Sequence, residues 1–234
     1  MKSESKKSSI IILIAFAVIT IVLWQIPGGF WILYPFTILG TWFHEMGHGL
    51  AALLLGGNFH RLEIYSNGSG LAMYSGTLLF GNIGRALVAA GGPLGPTIAG
   101  ATFIAFSPNK TITRFLLYIL SFVLIISVIL WIRSWVGIGI ILVFGLAIII
   151  IATKANDDIK ALALQFMGVQ ACVSVYLSFG YLFSQGASIG GNSYLSDTAI
   201  IAQSLFLPYW FWGGLIILLS IFLIFKSLKY VFSN

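Results

Sequence analysis

Residues 8–48 read SSIIILIAFAVITIVLWQIPGGFWILYPFTILGTWFHEMGH, a run that carries no charge until its last five positions. A helix needs about 20 apolar residues to cross the hydrocarbon core of a bilayer, so the run is long enough for two membrane helices. Pro27 and the two glycines after it interrupt the run, because proline ends a helix and glycine permits a turn. The sequence therefore predicts a first membrane helix at residues 10–26 and a second at residues 30–55.

The composition of the whole chain agrees with this reading. Of its 234 residues, 59% are hydrophobic and only 8% are charged, and the mean hydropathy is +1.03. A soluble domain is about 25% charged, so a soluble enzyme and a disordered chain are both excluded. The single cysteine excludes an intrachain disulfide. The net charge of +6 comes from Lys and Arg in short loops and at the two ends, so we expect contact with a lipid bilayer and no nucleic-acid partner.

Further apolar stretches follow the second helix, separated by short charged or polar segments. They lie at residues 86–106, 115–132, 135–153, 161–183 and 205–225. The sequence thus predicts an all-α polytopic membrane protein with about seven transmembrane helices. These helices lead us to expect an integral multi-pass membrane protein, and a short N-terminus without a transit-like leader leads us to expect that the membrane is the bacterial plasma membrane.

We expect one membrane-embedded domain over residues 1–234. A polar tail at residues 1–9 precedes the first helix, and the last five helices occupy residues 86–225. Between the second helix and these five, the pair Asn67-Gly68 lies between two β-prone runs, which predicts a hairpin at residues 59–77. The hairpin could pair with an extended substrate by strand addition, or simply connect two helices.

The second helix contains the only ionisable side chains of the opening run, His44, Glu45 and His48, in the pattern HExxH. Residues i and i+4 share one face of a helix, so the two imidazoles can bind one Zn²⁺ with Glu45 beside the metal-bound water. Burying three ionisable groups in a membrane is costly without a metal or other partners. The pattern therefore predicts a zinc site with Glu45 as the catalytic base.

A hydrolytic zinc site usually has three protein ligands and one open position, so a third ligand must come from elsewhere. Asp197 stands apart as the only acidic residue of the last 76, but it or Ser196 could instead cap a helix that starts near residue 198. The residues alone leave the choice open between Asp197 and the other candidates. Those others are His60, Glu63, Asp157 and Asp158.

The order of several motifs resembles that of the site-2-protease-like intramembrane zinc metallopeptidases, in particular their compact B-type branch. The similarity runs from about Leu33 to Trp212. After HExxH, the motifs are a Ser/Asn/Gly-rich hairpin at 64–71, a Gly/Pro-rich helix start at 90–96, Arg133-Ser134-Trp135, the stretches 166–169 and 174–176, and Ser196-Asp197-Thr198 before Trp212-Gly213. Departures include Ser134, where relatives have Asn, and Pro93, where relatives have Tyr.

The resemblance implies that Asp197 is the third zinc ligand beside His44 and His48, that Glu45 is the general base, and that membrane proteins are the substrates. Two alternatives remain. The chain could be another membrane metallohydrolase or a zinc-dependent regulator. It could also be a transporter or channel that uses the HExxH side chains as a metal or proton relay, although it shows no internal repeat of the kind many transporters have.

Overall fold

The computed structural model describes residues 2–233, with the side chains of residues 11–186, 188–231 and 233. Nine helices and two hairpins make up this part of the chain. The helices are α1 Lys2–Gln25, α2 Gly29–Leu54, α3 Asn82–Phe106, α4 Lys110–Leu130, α5 Trp135–Lys154, α6 Asp157–Leu177, α7 Phe179–Leu182, α8 Asp197–Leu205 and α9 Tyr209–Ser233. The strands are β1 Asn58–Ile64 and β2 Gly70–Ser75, which pair antiparallel, and β3 Gly186–Ile189 and β4 Asn192–Leu195, which do the same.

Within the described residues, α3, α4, α5, α6 and α9 are each long and apolar enough to cross a membrane. The pair α1 and α2 qualifies as a sixth span when taken together, and its two helices are bent by 119° at the break between them. Gly28 makes this turn in the left-handed conformation, with φ of 86°. The prediction of an all-α multi-pass membrane protein is confirmed. The described residues contain five or six candidate spans, so the predicted number of about seven is not confirmed.

Several helix ends differ from the prediction. Helix α1 begins at Lys2 rather than at residue 10, and the predicted helix 161–183 breaks at Ser178 between α6 and α7. The polar segment before the last helix is not an open loop, because it holds β3, β4 and α8. Of the two proposed caps for α8, Ser196 is the N-cap: its Oγ accepts the backbone N–H of Ala199 at 3.2 Å.

Helix α2 lies at the centre of the bundle. Its side chains Ile38, Leu39 and Trp42 are almost fully buried, and the indole N–H of Trp42 donates to Ser127 Oγ on α4 at 2.9 Å. On the opposite side α2 meets α3 so closely that a Cβ on Gly91 would lie 2.7 Å from the carbonyl oxygen of Gly47. Small residues permit this kind of backbone approach between membrane helices.

The first hairpin is fixed to the bundle through β1. The N–H of Leu62 donates to the carbonyl of Trp131 at 2.8 Å, and the N–H of Arg133 donates to the carbonyl of Leu62 at 3.0 Å. This bridge covers the outer edge of β1. Strand β2 pairs only with β1 among the described residues, so its other edge has no strand beside it.

Candidate metal centre

Helix α2 places His44 and His48 one turn apart on the same face, with ring centroids separated by 4.9 Å. His48 is buried, and His44 is partly open to a cavity. The Nδ1 of His48 lies 2.8 Å from the carbonyl oxygen of Val88 on α3. A carbonyl can only accept, so Nδ1 carries the proton and the lone pair of the neutral ring is on Nε2, which faces the other side chains of the site.

The carboxylate of Asp197 faces both imidazoles. Its Oδ2 lies 2.9 Å from His44 Nε2, and its Oδ1 lies 3.2 Å from His48 Nε2. One ligand atom from each of the three residues lies within 4.8 Å of the other two. Two imidazole nitrogens and one carboxylate oxygen are a ligand set that zinc accepts. The donor set, its spacing and the orientation of the His48 ring therefore fit a zinc ion.

Asp197 reaches this position because the chain on both sides of it is held. The Oγ of Ser196 donates to the carbonyl of Ser184 at 2.5 Å, and the Oγ1 of Thr198 donates to the carbonyl of Leu182 at 2.9 Å. The N–H of Asp197 itself donates to the phenol oxygen of Tyr181 at 3.1 Å. Asp197 is thus the first residue of α8, and its side chain points away from the helix into the histidine pair.

Gly92 of α3 lies directly against the two imidazoles. A Cβ at this position would overlap the His48 ring and lie 2.7 Å from His44 Nε2. Only a residue without a side chain leaves room for the two imidazoles. The Gly/Pro-rich stretch at 90–96 is one of the motifs that carry the family resemblance, but nothing in the sequence singles out Gly92 as part of the site.

The other candidate ligands lie elsewhere among the described residues. His60 Nε2 contacts Ser75 Oγ at 2.5 Å on the exposed face of the hairpin, and Asp158 is exposed. Asp157 pairs with Lys110 at 3.4 Å. Glu63 accepts a hydrogen bond from the phenol of Tyr65 at 2.7 Å.

Both hairpins border a cavity of about 470 Å³ that reaches His44 and Glu45. Glu45 is buried, and a Cβ on Gly70 at the start of β2 would lie 2.9 Å from its Oε1. From the other side, the Gly190 turn of the β3–β4 hairpin lies against the ring of Tyr65. The hydrogen bond to Glu63 raises the pKa of the Tyr65 phenol to about 12. The phenol therefore stays protonated at neutral pH at the point where the two hairpins meet.

The bundle and the site together define a multi-pass membrane protein with a buried His–His–Asp cluster beside a glutamate. A family model described as Peptidase M50B-like matches residues 12–227. The chain belongs to this family, which confirms the resemblance to site-2-protease-like peptidases and indicates a metallopeptidase with membrane-embedded substrates. No curated protein and no solved structure shows significant similarity to the chain.

Proposed function

We propose that the protein is a zinc peptidase that hydrolyses membrane proteins within or beside the bilayer. The observation that carries the proposal is the Asp197 carboxylate, which faces two HExxH imidazoles at 2.9 and 3.2 Å. His44, His48 and Asp197 would hold Zn²⁺. When bound, that ion supplies a water with a pKa lowered toward about 7 and polarises the carbonyl of the scissile bond.

Glu45 is the proposed general base. It is buried one residue after a ligand histidine and lines the same cavity, so a substrate in that cavity would meet its carboxylate. Glu45 takes a proton from the attacking water as the oxygen–carbon bond forms. It then gives that proton to the leaving nitrogen as the carbon–nitrogen bond breaks, which returns the carboxylate to its starting state.

The substrate must be extended at the cleavage site, because the backbone of a helix is engaged in its own hydrogen bonds. The unpaired edge of β2 is the place where an extended segment would bind. Gly70 at the start of β2 lies against Glu45, and the backbone amide of Ala72 interacts with the Glu45 carboxylate. Strand addition to this edge would bring the peptide backbone next to the base. This geometry favours the substrate-pairing role of the hairpin over that of a plain connection.

The proposed setting is a single membrane-embedded domain in a bacterial plasma membrane. Apart from Glu45, the cavity walls are formed by apolar, small and hydroxyl-bearing side chains together with imidazole and the uncharged amide of Gln170. We therefore propose uncharged residues on both sides of the scissile bond.

The proposal is tested with purified protein reconstituted in liposomes with Zn²⁺. The substrates are two synthetic single-pass peptides, one with a Gly-Pro break in mid-membrane and one with an uninterrupted leucine helix. Mass spectrometry detects new peptide ends, and elemental analysis gives the zinc content. We expect about one zinc per chain and cleavage of the Gly-Pro peptide, with cleavage lost in Glu45→Gln and kept in the exposed-site control Asp158→Asn.

Each contrary result favours a different alternative. Zinc binding with neither peptide cut would favour another metallohydrolase or a zinc-dependent regulator. Failure to bind zinc at all would refute the peptidase and favour a transporter or relay built on His44, Glu45 and His48.

A further inference from the structure

Tyr181 lies beside the metal cluster but is not one of its ligands. Its phenol oxygen accepts the backbone N–H of Asp197 at 3.1 Å, and its ring centroid lies 6.1 Å from that of His44. Together with His44 and Glu45 it lines the cavity in which a substrate would bind. No motif in the sequence marks this residue.

The phenol keeps a proton that it can donate. An aromatic hydroxyl has one donor and can accept at its oxygen, and the hydrogen bond from Asp197 uses only the accepting side. The neighbouring acceptor is the Asp197 carboxylate, whose oxygens also face the two imidazoles. The hydroxyl therefore lies beside the cluster at the edge of the cavity, where a substrate carbonyl would compete with the Asp197 carboxylate for its proton.

Three other polar side chains of the cavity wall have a donor engaged within the protein. Thr41 donates to the carbonyl of Gly68 at 2.5 Å, and Ser178 donates to the carbonyl of Ser174 at 2.9 Å. The amide of Gln170 donates to Thr20 at 2.8 Å. Tyr181 lies in the wall next to the cluster. Among the described hydrogen bonds, its hydroxyl donates to no backbone carbonyl.

We propose that Tyr181 is a further catalytic residue: its phenol O–H donates a hydrogen bond to the carbonyl oxygen of the scissile peptide as that oxygen becomes negative. The inference depends on the proposed peptidase function. A donor fixed in advance stabilises such an oxyanion more than a mobile one, because it needs no reorganisation during the reaction. Tyr181 is fixed by the N–H of Asp197 at its oxygen and by Ser184, whose N–H donates to the Tyr181 carbonyl at 3.1 Å.

The test compares Tyr181→Phe with Tyr118→Phe, a matched change on the exposed face of α4. Two probes built on one apolar peptide are measured on zinc-loaded protein in detergent. A phosphinic peptide carries a tetrahedral centre with a charged oxygen, and a reduced-amide peptide lacks any oxygen at that position. We expect Tyr181→Phe to keep one zinc per chain and its affinity for the reduced amide, and to lose about 10- to 100-fold in affinity for the phosphinic peptide.

Turnover gives a second measurement. Because the hydrogen bond strengthens only as charge develops, Tyr181→Phe should lower kcat and leave KM unchanged. Replacement of Tyr181 by 4-aminophenylalanine retains the ring and an N–H donor, and should restore part of the phosphinic affinity. The rescue also keeps the test informative if Tyr181→Phe folds poorly.

Other outcomes overturn the inference. Loss of zinc in Tyr181→Phe would mean that the phenol only positions Asp197, and equal losses with both probes would mean that it only shapes the cavity. Unchanged phosphinic affinity would show that the donor has no role. If the wild-type protein binds zinc but neither probe, the proposed function itself fails, which is distinct from a failure seen only in the variant.

Discussion

Nε2 of His44 lies 2.9 Å from Oδ2 of Asp197, although the two residues are 153 positions apart in the chain. The contact requires α8 to pack against α3 and the β3–β4 hairpin to fold back over the bundle. A site closed by such distant residues does not exist in an unfolded chain, so metal binding reports on the tertiary fold.

The first prediction concerns this carboxylate. Asp197→Asn keeps the size of the side chain but removes the negative charge and one acceptor oxygen. Changes to residues that only support the ligands lower metal affinity by about 10- to 100-fold. We expect a larger loss of zinc affinity here, because Asp197 would itself bind the metal. Competition with a chromogenic chelator measures the affinity. Asp158→Asn, at an exposed position, should retain wild-type affinity. Full zinc binding by Asp197→Asn would mean that the third ligand lies elsewhere.

The second prediction concerns Gly92. Alanine has the higher helix propensity by about 1 kcal/mol, so Gly92→Ala should stabilise α3 if only the local backbone mattered. The added Cβ would overlap His48 and lie 2.7 Å from His44 Nε2, and we expect loss of zinc binding instead. Gly139→Ala on α5 is the control, because a Cβ there meets nothing within 4 Å. Equal zinc content in the two variants would refute the close approach of α3.

The third prediction distinguishes the role of Glu45 in cleavage from the binding of the metal. A Cβ on Gly70 would lie 2.5 Å from Cγ2 of Thr41 and 2.7 and 2.9 Å from Cγ and Oε1 of Glu45. Gly70→Ala should therefore displace the carboxylate together with the Thr41 methyl group, without touching the histidines. A displacement of about 1 Å can cost about 100-fold in rate. We expect that loss in peptide cleavage with zinc content unchanged. Gly214→Ala on α9, where a Cβ meets nothing within 4 Å, should cleave normally, and a similar loss there would argue against a local effect.

The fourth prediction concerns the start of α8. Ser196→Ala removes the hydroxyl that caps the helix at Ala199 and holds Ser184, and such a cap contributes about 1 kcal/mol. We expect a lower unfolding temperature in detergent and weaker zinc binding, because Asp197 follows directly. Ser193→Ala, in the exposed strand β4, should change neither. Unaltered zinc affinity in Ser196→Ala would show that Asp197 is held by other contacts.

The amino-acid sequence by itself determined the membrane class and the HExxH face. Both follow from local rules: the length of an uncharged run sets whether a helix can cross a bilayer, and the helical repeat puts His44 and His48 on one side. The Asn67-Gly68 pair likewise placed the first hairpin, because a type I′ turn favours these residues. None of these inferences needs to know where another helix lies.

Only the tertiary structure decided which side chains lie next to the two imidazoles. The residues alone left the choice of a third ligand open between Asp197 and the other candidates, and only the folded chain brings the Asp197 carboxylate to the imidazoles. Gly92 and Tyr181 carry no local pattern, since their positions matter only through the backbone of one element against the side chains of another. The angle of the bend between α1 and α2 could not be predicted from the sequence either. A break at Pro27 permits many angles between the two helices, and the packed structure has a bend of 119°.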